Sequence, residues 1–208
     1  LIVLATVTFF LVRLIPGSPF QSGSVSSQVV EAVEEEYGLN EPLFDQYAAY
    51  MGNLARGDLG ISYQDPDTSV AEIIGRTWPV TASLGITALL TAVILGTGLG
   101  ILRAVSKKKA VREGIAAGGM LLAGIPNFAA AILLLLVFSV KLKWFPSAGL
   151  LSPAHYVLPV AALMLYPMAV ISRLTGNALA AEMDRQYVLF ARAKGLGRGR
   201  ILFTHALK

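Results

Sequence analysis

The chain has 208 residues, 55% of them hydrophobic and 14% charged, with a mean hydropathy of +0.64, which is too apolar for an ordinary water-soluble domain. Cysteine is absent, and this excludes a disulfide framework, a thiolate metal site and a cysteine nucleophile. The net charge of +4 is modest, and for a chain whose solvent is lipid the placement of the bases carries more information than their sum.

Residues 1–15, LIVLATVTFFLVRLI, are apolar apart from Thr6, Thr8 and Arg13. They fall short of the roughly 20 residues needed to cross a bilayer. The run is already under way at Leu1, which predicts the end of a first transmembrane helix whose start lies upstream. A signal-peptide core is the competing reading, although Pro16-Gly17-Ser18-Pro19 follows where a small-residue cleavage site would stand.

Residues 16–77 are polar, with ten acids against Arg56 and Arg76, and are expected outside the bilayer. Val29, Val30, Val33 and Tyr37 share a helical face, with Ser26 or Ser27 as N-cap and Gly38 as a stop. A second amphipathic helix from about Pro42 aligns Leu43, Tyr47, Tyr50, Met51 and Leu54, and Gly57-Asp58-Leu59-Gly60 then turns the chain. A third helix begins at Ser69, with Glu72 completing a capping box. Full spans are predicted at about 78–102, 114–140 and 157–178.

The 103–112 loop carries five bases and the 182–208 segment six, against two in 16–77 and two in 141–156. Bases near span ends stay on the cytoplasmic side. The 16–77 segment is therefore expected to be extracytoplasmic, and 103–112 and 182–208 cytoplasmic, in a multi-pass protein of the cell (inner) membrane. Trp78 and Trp144 fall at the outer ends of spans, where interfacial aromatics belong.

Two proline sites interrupt predicted spans, Pro126-Asn127 and Tyr166-Pro167. Either they open backbone toward a translocation path, since irregular backbone at that depth must face protein or water, or they bend helices whose neighbours satisfy the freed groups. Gly96 and Gly100 form a GxxxG that reads as close helix packing. Arg173 is expected to snorkel to the headgroups. His155 and His205 lack further ligands at metal-binding spacing, Gly195-Leu196-Gly197-Arg198-Gly199 lacks the strand and the Lys-Ser/Thr of a P-loop, and the bases form no nucleic-acid footprint. The reading therefore contains no catalytic residue, metal, cofactor or nucleic acid, and no enzyme.

The most informative stretch is Gln186–Lys208, QYVLFARAKGLGRGRILFTHALK. Tyr187, Ala191, Arg192, Ala193, Lys194, Gly195, Leu196, Leu202, His205, Ala206 and Leu207 resemble the cytoplasmic EAA loop of ABC importer permeases, in the form found in dipeptide, oligopeptide and nickel permeases. Leu189 or its neighbours stand where that loop usually opens with an acid. Arg13-Leu14-Ile15-Pro16-Gly17 with Pro19, Gly57-Asp58-Leu59-Gly60 with Ser62, Ile125-Pro126-Asn127-Phe128, Trp144-Phe145-Pro146 with Gly149, and His155 with Leu158-Pro159 match further family segments in order. Ser18 departs from a common Asp. The entry after the first span is similar to that of the first of the family's two permease subunits.

The resemblance implies an all-α membrane protein carrying about four of the six spans of a type I ABC importer transmembrane core, with residues 78–208 as permease core. It implies a translocation path shared with a second homologous permease, two cytoplasmic ABC ATPase subunits and an extracytoplasmic solute-binding protein. The solute would be a peptide, a nickel chelate or glutathione, and ATP hydrolysis would belong to the ATPase subunits. A helix over 187–193 would present Tyr187, Phe190, Ala191 and Lys194 on one side, with Ala193, Gly195 and Leu196 completing an ATPase-coupling surface that docks as a helix in a groove. The same loop could instead rest on anionic lipid. Rival functions are a non-transporting membrane scaffold and an ion-driven secondary carrier, the latter needing carboxylates within its spans.

Overall fold

The computed structural model describes residues 2–14, 38, 40–62, 68–149 and 151–202. The expected helix over Val29–Tyr37 and the loop residues His205, Ala206 and Leu207 lie outside the described residues. The chain divides into two compact units, 1–79 and 80–208.

The first unit holds α1 (Ile2–Leu14) and α2 (Leu43–Ala55). Aromatic packing joins them: the Phe9 ring stacks on Tyr50 at 5.4 Å and meets Tyr47 edge-on at 5.5 Å, while Phe10 stacks on Tyr47 at 5.5 Å. Such pairs contribute roughly 0.5–1.5 kcal/mol each beyond their buried area. Thr6 Oγ1 and the Tyr47 hydroxyl share a 2.8 Å hydrogen bond. Tyr47 and Tyr50, three residues apart, therefore form the face of α2 that meets α1, whereas Leu43 and Phe44 stay exposed. After α2, Asp58 Oδ1 accepts from the Gly60 N–H at 2.9 Å. This Asx turn delivers Ile61 to an antiparallel bridge with Ser69 at the threshold of the next helix. There Ser69 Oγ accepts from the Glu72 N–H at 3.1 Å, one half of the capping box.

Helix α3 (Val70–Val105) has 36 residues, roughly 54 Å at 1.5 Å per residue. That is longer than a hydrocarbon core of about 30 Å, so its apolar part is a span and its remainder projects beyond. Ala88, Ala92, Gly96 and Gly100 recur every fourth residue and are its buried positions. Helix α6 (Ala154–Met183) is the second helix long and apolar enough to cross a membrane. Between them run α4 (Lys109–Gly124) and α5 (Asn127–Leu134), the latter continuing as a π-helical stretch, Leu135–Lys141. Both α4 and α5 pack on α6.

The two proline sites behave differently. The expected span over 114–140 is two helices bent by 102° at Ile125-Pro126. Proline drives its preceding residue out of the helical region, and Ile125 is extended at φ −87°, ψ 122°; Gly124 before it adds a weak helix former. Tyr166-Pro167, also expected to interrupt a span, sits inside an unbroken α6. Met168 and Ala169 directly after it are buried, and that packing holds the helix through the hydrogen bond that proline removes.

Glycine and histidine close the start of α6. The His155 Nδ1 lies 2.9 Å from Ser152 Oγ and 3.2 Å from the Ser152 N–H. Gly149, at φ +95°, passes so close that a Cβ there would stand 3.3 Å from His155 Nε2. His155 thus organises the turn into α6.

Candidate functional site: the loop after the last span

Helix α6 ends in Glu182-Met183, and α7 (Gln186–Ala193) starts three residues beyond Met183. Glu182 joins the two. Its Oε2 accepts a 2.7 Å hydrogen bond from the Tyr187 hydroxyl, and its Oε1 lies 3.5 Å from Arg185 Nη2. The hydrogen bond to the Glu182 carboxylate, with smaller contributions from desolvation and from the Glu182 charge, raises the Tyr187 phenol above its ordinary value, while Arg185 opposes the shift. The phenol therefore stays protonated and donating at neutral pH.

Helix α7 ends in a left-handed turn. Gly195 has φ +77°, and the Leu196 N–H donates to the Ala191 carbonyl at 3.2 Å, the wide hydrogen bond of a Schellman ending. Such endings bring together the side chains of the two bonded residues. Leu196 indeed packs against a cluster of Val188, Ala191 and Ile201, the last from the short α8 (Arg198–Ile201), and Met183 closes it from the end of α6. Val188 is 0% and Ile201 1% exposed. The loop has a core of its own, which holds α7 at a set position relative to α6.

That core corrects the expected docking face. Ala191 stands one turn along α7 from Tyr187, but it is buried against Ile201 and so is not on the surface left open to a partner. A short helix with one buried side must spend its i, i+3 pair Val188 and Ala191 on its own support. What α7 turns to solvent is Tyr187, Leu189 and Phe190, the last 69% exposed, together with Ala193 and Lys194. Leu189, which the periodicity from Tyr187 leaves out, belongs to this outer surface. The sequence signal for it is Val188, Ala191 and Ile201 taken as the inner set, with Leu189 and Phe190 as the remainder.

The other expected residues are not gathered into one place. Pro126 and Asn127 form the elbow between α4 and α5. Tyr166 lines a cavity of about 350 Å³ between α4 and α6 with Met120 and Arg173. A larger cavity, about 680 Å³, opens between α3 and the start of α6 beside Thr87, Thr91 and Tyr156, and none of these three stands out by motif.

Residues 96–208, which take in this loop, α4, α5 and α6, match the family described as binding-protein-dependent transport system inner membrane component. The chain belongs to that family. Over its whole length it is 39% identical to the dipeptide transport system permease protein DppB of Bacillus subtilis, covering 68% of that protein. It is 38% identical to the oligopeptide transport system permease protein OppB of Salmonella typhimurium, covering 69% of it, and 32% identical to DppB of Lactococcus lactis, again over its full length and 69% of the relative. With its apolar helices, this makes the chain an integral membrane protein and a permease component of a binding-protein-dependent transport system.

Proposed function

We propose that this permease component carries peptides inward as one of two membrane-spanning subunits of an ATP-driven importer, with hydrolysis in separate cytoplasmic ATPase subunits and peptide delivery by an extracytoplasmic binding protein. The observation that supports it most is the similarity over the whole chain to dipeptide and oligopeptide permeases. The exposed Tyr187 and Phe190, three residues apart on one side of α7 with Leu189 on the flank and a small core behind, offer an apolar surface of the kind that docks into a groove on a partner. A groove that closes on ATP would move α7, and the Glu182 contacts with the packed Met183 would pass that movement to α6.

Co-purification tests the assignment. The full-length parent, reconstituted with its ATPase and binding protein, should hydrolyse ATP faster when peptide-loaded binding protein is added, and the permease stripped of ATPase should hydrolyse none. Hydrolysis that stays with the stripped permease and vanishes on Lys194→Ala would refute the reading.

The proposed topology puts 16–77 outside and both 103–112 and 182–208 inside, on the asymmetry of bases. Since the chain has no cysteine of its own, single cysteines at Ser62 and Ser106 report directly once any native cysteine elsewhere in the parent is replaced. An impermeant maleimide added to intact cells should label position 62 and spare position 106. Labelling at 106 from outside would reverse the orientation.

A further inference from the structure

Where α3 ends and α4 begins, two adjoining cavities of about 350 and 330 Å³ lie against α6 and share Arg103 and Asn177 on their walls. Arg103 comes from the last turn of α3, Arg112 from the first turn of α4, and Arg173 with Asn177 from adjacent turns of α6. The arginine of α3 is brought in by a small residue: its Cδ and Nη1 would stand 3.4 and 3.5 Å from a Cβ at Gly176.

Arginines from three helices thus line these two adjoining cavities, which together are taken as one groove. Among the described residues none of the three makes an ion pair, and the carboxylate on the groove, Glu113, is 3.7 Å from Lys109 Nζ. The basic end is only half of the groove. Met120 lies eight residues along α4 from Arg112, and Tyr166 seven residues along α6 from Arg173, so the walls turn apolar about 10–12 Å above the charges. A soluble anion would use the lower end alone. An anionic phospholipid fits both ends, with its phosphate among the guanidiniums and the start of an acyl chain beside Met120 and Tyr166.

We infer that the groove between α4 and α6 binds one anionic phospholipid, with Arg103, Arg112 and Arg173 holding the headgroup. Basic pockets between spans at the membrane surface are known to hold such headgroups, and guanidinium matches phosphate in two-pronged geometry. The inference rests on α3 and α6 spanning a bilayer with α4 packed on α6, and on nothing in the transport reaction. The orientation proposed above places the lipid in the inner leaflet.

The test is native mass spectrometry of the full-length parent in detergent, titrated with phosphatidylglycerol or with phosphatidylcholine of the same acyl chains. Phosphatidylglycerol should bind in preference, and each arginine changed to glutamine should weaken it roughly fivefold. Arg112→Gln removes an exposed side chain at the first turn of α4 and leaves the helix packing in place; Arg103→Gln with Arg173→Gln adds the half-buried arginine of α3 and the exposed one of α6. Arg173→Lys, which keeps the charge, should retain most of the preference, and Lys141→Gln with Lys143→Gln, away from the groove, all of it. Equal retention of the two lipids, or a preference unchanged in Arg112→Gln and in the double variant, would mean the groove is covered by protein in the parent, and the inference falls. It also falls if millimolar inorganic phosphate displaces the lipid completely, since the site would then be one for a free anion.

Discussion

Gly100→Leu in the full-length parent should all but abolish recovery of a monodisperse, protease-resistant permease, whereas Gly98→Leu should be recovered as the wild type is. The two glycines are two residues apart on α3 and face opposite ways. A Cβ at Gly100 would stand 2.6 Å from Thr175 Cβ, 2.8 Å from the Ser172 carbonyl oxygen and 3.0 Å from the Gly176 nitrogen; at Gly98 it would meet nothing within 4 Å among the described residues. Gly96 repeats the contact one turn earlier, with the Met168 carbonyl oxygen at 2.8 Å from the same virtual atom. Two of the obstacles at Gly100 are backbone atoms of α6, which cannot rotate away as a side chain would, so the helices must part. Overpacking of a core costs about 1–3 kcal/mol even where neighbours adjust, and separation here also loosens Ala88 and Ala92 on the same ridge. In lipid, where apolar residues gain nothing by leaving the solvent, close packing of small residues is a main source of helix association. We therefore expect a loss of about 3 kcal/mol or more, read as the fraction eluting as a single species and as the thermal midpoint. Equal recovery of the two variants would show that α3 and α6 do not meet on this ridge.

The Gly96-Gly100 pair also shows what a sequence pattern reveals and what it leaves out. GxxxG marks close packing because backbone approach needs the absence of Cβ, a purely local requirement. The partner is set by tertiary structure: Ser172 and Gly176, which meet it on α6, have the same small-xxx-small spacing, but a motif on each helix does not say which helix it packs against. Proline shows the same limit from the other side. Pro126 and Pro167 remove the same kind of hydrogen bond, and the broken helix differs from the unbroken one in the weak helix former Gly124 before Pro126 and in the buried Met168 and Ala169 after Pro167. The loop after α6 was legible as a helix ended by a left-handed glycine, since its signals lie within ten residues. Its facing was not, because the residue that turns Val188 and Ala191 inward, Ile201, lies beyond the turn. Arg103, Arg112 and Arg173 were legible as bases near span ends, but their convergence depends on three helices and has no sequence signature.

Phe190→Ala should leave the permease folded and inserted while lowering its affinity for the ATPase by ten- to a hundredfold. Within this chain Phe190 is 69% exposed and outside the cluster of Val188, Ala191 and Ile201, so its removal takes little from the loop itself. If the ring fills a groove on the partner, truncation forfeits most of the roughly 1.5–3 kcal/mol gained by burying a large apolar side chain, and each 1.4 kcal/mol is a factor of ten in affinity. Phe128→Ala is the matched control: that ring is 71% exposed but lies on α5, away from the loop. Gly195→Val approaches the same surface through the backbone. Among the described residues no atom would obstruct a Cβ there, yet φ is +77°, and an L-residue in that region costs about 1–2 kcal/mol. That strain is too small to unfold a bundle of spans but enough to tilt α7 away from its docking angle. Both variants should show normal membrane levels, less ATPase co-purified per permease and reduced peptide uptake, with Phe128→Ala unchanged in all three. If Phe190→Ala and Gly195→Val both retain full ATPase association and uptake, α7 is not the docking helix, and the coupling role proposed for residues 186–208 must be given up.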